Sequence, residues 1–404
     1  MKTSPWDPMR QPVKKRDPRL DFFRGVAMLI IFIAHVPNNL WGSYIPARFG
    51  WSDAAEMFVF CSGYAAAIAF GGTFIRAGFW YGLARVLNRI WQLYTSHILI
   101  FFLILALCIA GTEVLDTRNY VNFLNLGYFT NVTPDALLGL MTLTYVPNYF
   151  DILPMYMGVL LLIPVAMLLA RVHPWLPLVG AFALWSANWM LDGGLPAHPK
   201  HPHLEWFFNP MGWQILFLTG FALSRGWVKA PPIKPSLIIL ALVFIVISVP
   251  FAHWPTWTRI PGYEGIRDVL NPYRSKTDYG LLRYFHFLCL AYLAIAFVKG
   301  REHFLEANWA KPILKVGQQA LPVFLLNMWL AQLAGMALDV GGRSVGFVSL
   351  VNVIGLACVV GFAYLVSWIK SSPWQAAAAR RAATATKAES SKEQPPRPAT
   401  QPAE

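Results

Sequence analysis

Ten apolar stretches, most of them close to twenty residues long, run through this 404-residue chain. A bilayer needs about 20 apolar residues for each membrane-spanning helix, and a water-soluble domain cannot bury so many such stretches. The composition agrees, because 56% of the residues are hydrophobic and 13% are charged. The sequence predicts an all-α, polytopic integral membrane protein with about ten transmembrane helices. The stretches cover residues 19–35, 54–71, 92–111, 153–170, 174–191, 210–225, 236–253, 281–298, 318–338 and 346–369.

The charge distribution predicts the orientation of these helices. The formal net charge is +13, and in a soluble protein such an excess suggests a nucleic-acid partner. In a membrane protein, lysine and arginine are instead retained in cytoplasmic loops. Most of the 33 basic residues fall on the inner side if both termini are cytoplasmic. We therefore predict cytoplasmic termini and no nucleic-acid partner.

The chain divides into three parts by composition. Residues 1–18 are basic and rich in proline, and residues 371–404 are rich in alanine, charge and proline. Such segments cannot bury enough apolar surface to fold, so we predict a disordered cytoplasmic arm and a disordered cytoplasmic tail around a membrane domain at 19–370. A signal peptide is not expected, because the first apolar stretch is too long for one and lacks a small-residue cleavage site.

The first stretch carries polar residues on one face of its predicted helix. Asp21, Arg24 and His35 share that face at 3.6 residues per turn, with His35 roughly 16 Å beyond Arg24. A titratable side chain inside a span costs free energy and marks a candidate functional site. The alternative is a neutral histidine at the end of the helix, because Pro37 and Asn38 follow. The shared face favours the functional interpretation.

A second group of acids opens the next helix. Ser52 can cap the helix, and Asp53 and Glu56 lie three residues apart on one face. Acids in a first turn complement the helix dipole, which accounts for Asp53 better than for Glu56. Glu56 lies deeper, and two roles stay open for it: a partner of His35 or a ligand of a sugar hydroxyl.

Further polar residues lie at the ends of other spans. Arg85 and Arg89 occupy one face of segment 77–91, which is typical of an interfacial helix on the cytoplasmic surface. Gln214 fits either a helix–helix hydrogen bond or a substrate contact. His286 lies near the outer end of its span, where it can reach the same cavity as His35.

No metal site is predicted. The run 198–205 contains three histidines and a glutamate among prolines, without a distant pair of ligands, and the four cysteines lack CxxC spacing. Walker A, GxGxxG and HExxH patterns are absent, so ATP-driven transport and zinc hydrolysis are not supported. The outer loops 112–152 and 254–280 are rich in Tyr, Trp and Asn, which fits an aromatic belt or sugar binding.

Three segments carry a resemblance to a known family. The run RLDFFRG at 19–25, followed by His35, is similar to the Arg-x10-His signature of type 3 membrane acyltransferases. Residues 49–64, FGWSDAAEMFVFCSGY, and 206–217, WFFNPMGWQILF, resemble the OpgC family. The likeness covers residues 19 to about 370. It implies transfer of an acyl group, succinyl in the best-known branch, from acyl-CoA to osmoregulated periplasmic glucans at the bacterial inner membrane.

Roles for the candidate residues follow from this chemistry. A sugar hydroxyl attacks a thioester only when a base takes its proton, and histidine is a natural base near pH 7. We predict His35 as that base, with Glu56 orienting it and Asp21 holding Arg24. Donor-binding residues are Arg24, Arg85 and Arg89, and acceptor-binding residues are Asp53, Trp213, Gln214 and His286.

The predicted partners are acyl-CoA as co-substrate, a periplasmic glucan or other polysaccharide, and the lipid bilayer, with no bound cofactor. Two alternatives stay open. One is an acetyltransferase that acts on another cell-surface polysaccharide. The other is a proton-coupled transporter or flippase that uses Asp21, Arg24, His35 and Glu56 as a path and forms no covalent product.

Overall fold

The computed structural model describes residues 17–191, 193–201 and 203–375. Most of the predicted arm at 1–18 and most of the predicted tail at 371–404 lie outside these ranges, so the three-part division of the chain stays a prediction. Within the described ranges the regular secondary structure is helical, apart from one isolated antiparallel bridge between Pro196 and Glu205. The prediction of an all-helical protein is confirmed for this part of the chain.

A long helix occupies each of the ten predicted stretches. Seven of them are long and apolar enough to cross a membrane, by length and composition, which indicates a multi-pass membrane protein. The helix at 18–35 carries three charged residues in its first two turns, and those at 176–191 and 210–225 have 16 residues each. In chain order the helices are α1 (Pro18–His35), α2 (Ala54–Arg76), α3 (Phe79–Val114), α4 (Ile152–Val172), α5 (Leu176–Leu191), α6 (Pro210–Arg225), α7 (Pro235–Ala252), α8 (Leu281–Val298), α9 (Ala320–Gly341) and α10 (Val345–Lys370).

The third helix differs from its prediction. The segment 77–91 and the span 92–111 are expected as an interfacial helix and a separate transmembrane helix, but α3 is one helix of 36 residues. Its interior holds no proline, so nothing breaks the hydrogen-bond ladder between the two parts. At 1.5 Å per residue α3 is about 54 Å long, well beyond the bilayer core of about 30 Å. Arg85 and Arg89 lie in its first half.

The first helix is fixed by a close contact with the short helix Ala310–Gln318. A Cβ added to Gly25 would lie 2.0 Å from the backbone oxygen of Ile313, and one added to Gly317 would lie 1.8 Å from that of Asp21. Small residues on both helices therefore allow backbone to meet backbone. This contact holds the charged end of α1 in place.

The second helix packs in the same manner against α6. A Cβ on Gly63 would lie 2.0 Å from the backbone oxygen of Phe217, and one on Gly220 would lie 2.4 Å from that of Phe60. Because Asp53 and Glu56 stand at the start of α2, this packing fixes their position relative to α6.

Contacts near helix ends show that α1 and α9 run in the same direction and that α10 runs opposite to them. Arg343, which follows α9, donates to the backbone oxygen of Pro37 after α1 over 3.0 Å. Lys370 at the end of α10 donates to Gln319 before α9 over 2.7 Å. We call the two ends of the bundle the His35 end and the Arg24 end. The segments 36–53, 115–151, 192–209 and 253–280 each contribute residues that line one space with His35, and residue 343 contacts the end of α1, so these four segments and 342–344 join helices at the His35 end.

Candidate functional site

A cavity of about 310 Å³ lies at the His35 end of the bundle. Its wall is built by α1, segment 36–53, the start of α2, the segments before α4, α6 and α8, and one residue of α9. Aromatic side chains of Phe58, Phe207, Phe208 and Phe324 form much of the apolar lining. The polar lining residues are His35, Asp53, Asn148, Tyr149, Asp151 and Lys276.

The imidazole of His35 is held in one orientation. Its Nδ1 lies 2.7 Å from the backbone oxygen of Ile31. A carbonyl oxygen only accepts hydrogen bonds, so Nδ1 must donate, and the neutral ring then carries its lone pair on Nε2. The ring of Tyr149 contacts the imidazole edge to face at 5.3 Å between centroids, and its hydroxyl donates to the backbone oxygen of Met328 over 2.6 Å. The histidine is therefore prepared to accept a proton at Nε2.

Asp53 and Glu56 form a capping box at the start of α2. The Asp53 side chain accepts from the backbone N–H of Ala55 over 2.7 Å, and Glu56 accepts from the backbone N–H of Asp53 over 2.8 Å. Each acid thus satisfies a donor that a helix terminus leaves without an intrahelical partner. Both carboxylates are thereby fixed at the start of α2, with Asp53 on the cavity wall and Glu56 in the interior.

Two cations from the segment around the start of α8 neutralise these acids. Lys276 Nζ lies 2.6 Å from Asp53 Oδ2, and Arg283 binds Glu56 Oε1 through Nη2 at 2.5 Å and Nε at 2.7 Å. Arg283 Nη2 also lies 3.5 Å from Asp53. Burial alone would raise the pKa of Asp53, but the Lys276 ammonium and the Arg283 guanidinium hold that pKa well below its usual value.

The structure gives Glu56 a different partner from the predicted one. The sequence predicts that Glu56 orients His35. In the structure Glu56 is fully buried and binds Arg283 and the backbone of Asp53, while the backbone of Ile31 orients the imidazole. The capping box folds the Glu56 side chain back toward the start of its own helix, so the carboxylate does not reach the imidazole of His35.

Of the four predicted acceptor-binding residues, Asp53 lines the cavity. His286 is buried behind it, with Nδ1 2.7 Å from Ser52 Oγ. Trp213 is fully buried and its Nε1 donates to the backbone oxygen of Lys276 over 2.8 Å, so it supports the segment that carries the lysine. Gln214 Nε2 donates to the backbone oxygen of Ala181 over 2.7 Å, which is a helix–helix hydrogen bond. The cavity lining includes none of these last three side chains.

The predicted donor-binding residues lie toward the opposite end. Asp21 is buried in the first turns of α1, and Arg24 and Arg89 both lie within electrostatic range of the Tyr156 hydroxyl. Arg89 also donates to Gln92 over 3.0 Å. Cationic groups of α1 and α3 thus approach the same region of α4.

Arg85 is held by a widened turn of α2. Residues Ala67–Gly71 form a π-helical turn, which leaves a backbone oxygen available to a side chain. Arg85 Nη1 donates to the backbone oxygen of Ala69 over 2.9 Å and to Thr73 Oγ1 over 2.6 Å. This contact ties the start of α3 to the end of α2.

An apolar groove of about 350 Å³ runs between α1, α2 and α8. Asp17, Arg19 and Tyr64 line it toward the Arg24 end, and Ser52 and Asp53 line it toward the His35 end. The groove and the cavity share three lining residues. These are Ile30, Asp53 and Ala54.

Among the described residues, no group of three or more His, Cys, Asp or Glu side chains is placed to hold a metal ion. The rings of His198 and His201 lie 4.7 Å apart, and those of His201 and His203 lie 5.6 Å apart. These rings pack on one another beside Tyr128.

Sequence reasoning missed five polar residues at this site. They lie in the segments before α4 and α8 or in the first turn of α8, where charged side chains are ordinary. One signal was available: a charge in the first turn of an apolar helix, as at residue 283, calls for a buried partner. The five are Asn148, Tyr149, Asp151, Lys276 and Arg283.

Comparison with known proteins gives one finding. A family model described as OpgC protein matches residues 16–371. The match covers all ten helices and every residue of the cavity wall. Neither the curated proteins nor the solved structures contain a match to this chain.

Proposed function

The chain belongs to the OpgC family, which indicates a glucan-modifying acyltransferase, and on this premise we propose a specific reaction. The protein is a membrane O-acyltransferase that moves a succinyl group from cytoplasmic acyl-CoA to hydroxyl groups of periplasmic glucans. It acts in the bacterial inner membrane with ten spans and both termini in the cytoplasm. The excess of lysine and arginine at the Arg24 end supports this orientation, and it makes the His35 end periplasmic.

The observation that carries the proposal is the state of His35 in the cavity. Its Nδ1 donates to the backbone oxygen of Ile31, so Nε2 is the basic atom. A glucan hydroxyl gives its proton to Nε2 while its oxygen bonds to the thioester carbon. The carbon–sulfur bond then breaks, and the proton passes from the imidazole to the departing thiolate. The products are an ester and free CoA, and the histidine returns to its starting state.

The groove between α1, α2 and α8 supports a donor that enters from the cytoplasm. It is apolar along most of its length and reaches Asp53 on the cavity wall. Arg24 on α1 and Arg85 and Arg89 on α3 lie toward the same end but outside the groove lining, and in this proposal they supply positive charge for the phosphates of the donor. The distance of roughly 16 Å along α1 from Arg24 to His35 is one that an extended thioester arm must cross.

Lys276 supports succinyl over acetyl. Its ammonium lies on the wall of the cavity that holds His35, and one of its three donors is used by Asp53. A succinyl group ends in a carboxylate, which an ammonium in a partly buried cavity binds well. An acetyl group has no such charge. The alternative activities, acetylation of another surface polysaccharide and proton-coupled transport, make no use of this cation as an acyl ligand.

Purified protein in proteoliposomes, supplied with succinyl-CoA and periplasmic glucan, tests the proposal. Mass spectrometry of the glucan is expected to find succinyl esters. His35→Gln is expected to lower the rate by at least about 100-fold, since general base catalysis is lost. His201→Gln changes an exposed histidine at the same end and serves as the matched control with full activity.

Three results contradict parts of the proposal. Full activity of His35→Gln at normal expression rules out the histidine as base. A mass increase of one acetyl group with acetyl-CoA, and none with succinyl-CoA, rules out the succinyl assignment. Proton-coupled flux of glucan without any covalent product favours the transporter.

A further inference from the structure

Asp151 has no evident structural role although it is buried in the cavity wall. It precedes α4, its exposed fraction is 3%, and its Oδ1 has no hydrogen-bond partner among the described residues. Buried polar atoms in native proteins nearly always have a partner, because an unsatisfied one costs free energy. An orphan carboxyl oxygen in a cavity therefore points to a ligand.

The usual reason for an aspartate at this position does not apply. Asp151 occupies the N-cap position of α4, but its side chain makes no capping hydrogen bond. Burial raises the pKa of Asp151 well above its usual value, and no cation in the described part of the chain offsets this effect. The ammonium of Lys276, which lines the same cavity, is paired with Asp53 instead.

The backbone before Asp151 is held in a strained conformation. Tyr149 has a φ of 96°, in the left-handed region that a residue with a large side chain rarely adopts. Such strain persists where the surrounding structure imposes it, often at functional sites. Here it lets the Tyr149 ring contact His35 while Asn148 and Asp151 both line the cavity.

The remaining lining suits a sugar ring. Phe207 and Phe208 line the same cavity, and the Phe207 side chain is 40% exposed. An aromatic face packs against the C–H face of a sugar, and a carboxyl oxygen accepts hydrogen bonds from its hydroxyl groups. A saccharide presents both features on one ring.

We propose that Asp151 binds the acceptor. Its free oxygen accepts a hydrogen bond from a hydroxyl group of the sugar ring, adjacent to the hydroxyl group whose proton His35 takes. Asp151 is thus an acceptor-binding residue of the same cavity, and this inference rests on the proposed function. The ligand class is a neutral hexose unit with two neighbouring hydroxyl groups.

Steady-state kinetics of Asp151→Ala and Asp151→Asn in the full-length protein test this. We expect the KM for glucan to rise at least about tenfold, because the substitution removes a hydrogen bond to a charged or strongly polar group. The KM for acyl-CoA is expected to stay unchanged. Asp135→Asn is the matched control, because Asp135 is a half-exposed acid paired with Lys200 at the same end. It is expected to leave both constants unchanged.

Two further measurements separate binding from folding and from the reaction itself. The melting temperature of Asp151→Asn is expected to equal or exceed that of the wild type, because an amide has no charge to bury. Direct binding of glucan without donor is expected to weaken at least about tenfold in Asp151→Ala. If the wild type binds glucan through Asp151 but transfers no acyl group, the proposed function fails and this inference stands.

Other outcomes overturn the inference. An unchanged acceptor KM in Asp151→Ala shows that the carboxyl does not hold the sugar. A fall in kcat with both KM values unchanged shows that Asp151 acts on the reaction through His35 rather than on the acceptor. Absence of glucan binding by the wild type excludes an acceptor site here.

Discussion

Replacement of Arg283 by methionine tests whether the four charges at the start of α2 and α8 form one unit. The guanidinium is 11% exposed and its partner Glu56 is 0% exposed. Without the arginine, Glu56 remains as a buried carboxylate with no cation on its Oε1, whereas Asp53 keeps Lys276 at 2.6 Å. Breaking a buried pair by removing one partner costs about 3–5 kcal/mol. We expect the free energy of unfolding of Arg283→Met to fall by that amount.

An exposed ion pair provides the control. Lys200 and Asp135 form a pair at the same end, but their side chains are 55% and 50% exposed. Pairs of this kind contribute about 0–1 kcal/mol, so Lys200→Met is expected to change stability little. A double variant, Glu56→Gln with Arg283→Met, is expected to regain much of the loss. The glutamine can still accept from the backbone N–H of Asp53 and carries no charge.

The assay is reversible unfolding of the purified protein in mixed micelles, by titration with a denaturing detergent. The free energies of unfolding of the four proteins, including the wild type, are compared at one pH. The reasoning is refuted if Arg283→Met costs no more than Lys200→Met. It is also refuted if the double variant is no more stable than Arg283→Met alone.

Three further predictions concern packing, pH and the cavity. Gly63→Ala is expected to cost about 1–3 kcal/mol, because the new Cβ would lie 2.0 Å from the backbone oxygen of Phe217; Gly361→Ala, which meets nothing within 4 Å, is the control in the same unfolding assay. The pKa of Asp53 is lowered in the folded state, so the Asp53 carboxylate contributes stability above about pH 4 that is lost as the pH falls further. Asp53→Asn is therefore expected to flatten the dependence of the free energy of unfolding on pH below that value. Tyr149→Phe is expected to keep most of the acyltransferase activity, since the ring contact remains at 5.3 Å, whereas Tyr149→Ala is expected to lose most of it in a rate measurement.

The helices could be predicted from the sequence because an apolar stretch of about 20 residues has few other solutions. The predicted bounds of 210–225 and 281–298 agree with those of α6 and α8. The prediction of two separate helices in place of α3 was wrong because the segment 77–91 carries Arg85 and Arg89 on one face among apolar and aromatic residues. Such a pattern is typical of a surface helix, and it does not reveal that the helix continues without a break.

The site could be predicted only where a residue type is unusual for its surroundings. His35 stands in an apolar stretch, so the sequence alone marks it, and the structure places it in the cavity wall. The partner of Glu56 lies 227 positions further along the chain, and no local pattern connects the two. Asp151 and Lys276 lie outside the spans, where a charged residue carries no signal until the fold brings it to the cavity.

The shared wall between groove and cavity has a consequence for the membrane as an insulator. In the proposed reaction the groove admits the donor from one membrane surface and the cavity admits the glucan from the other, and Ile30 and Ala54 border both spaces. If water joined the two spaces, protons would leak down their gradient through the protein. The side chains of Ile30 and Ala54 must therefore be large enough to keep water from joining the two spaces. A smaller residue at position 30 is expected to raise the proton conductance of liposomes that contain the protein.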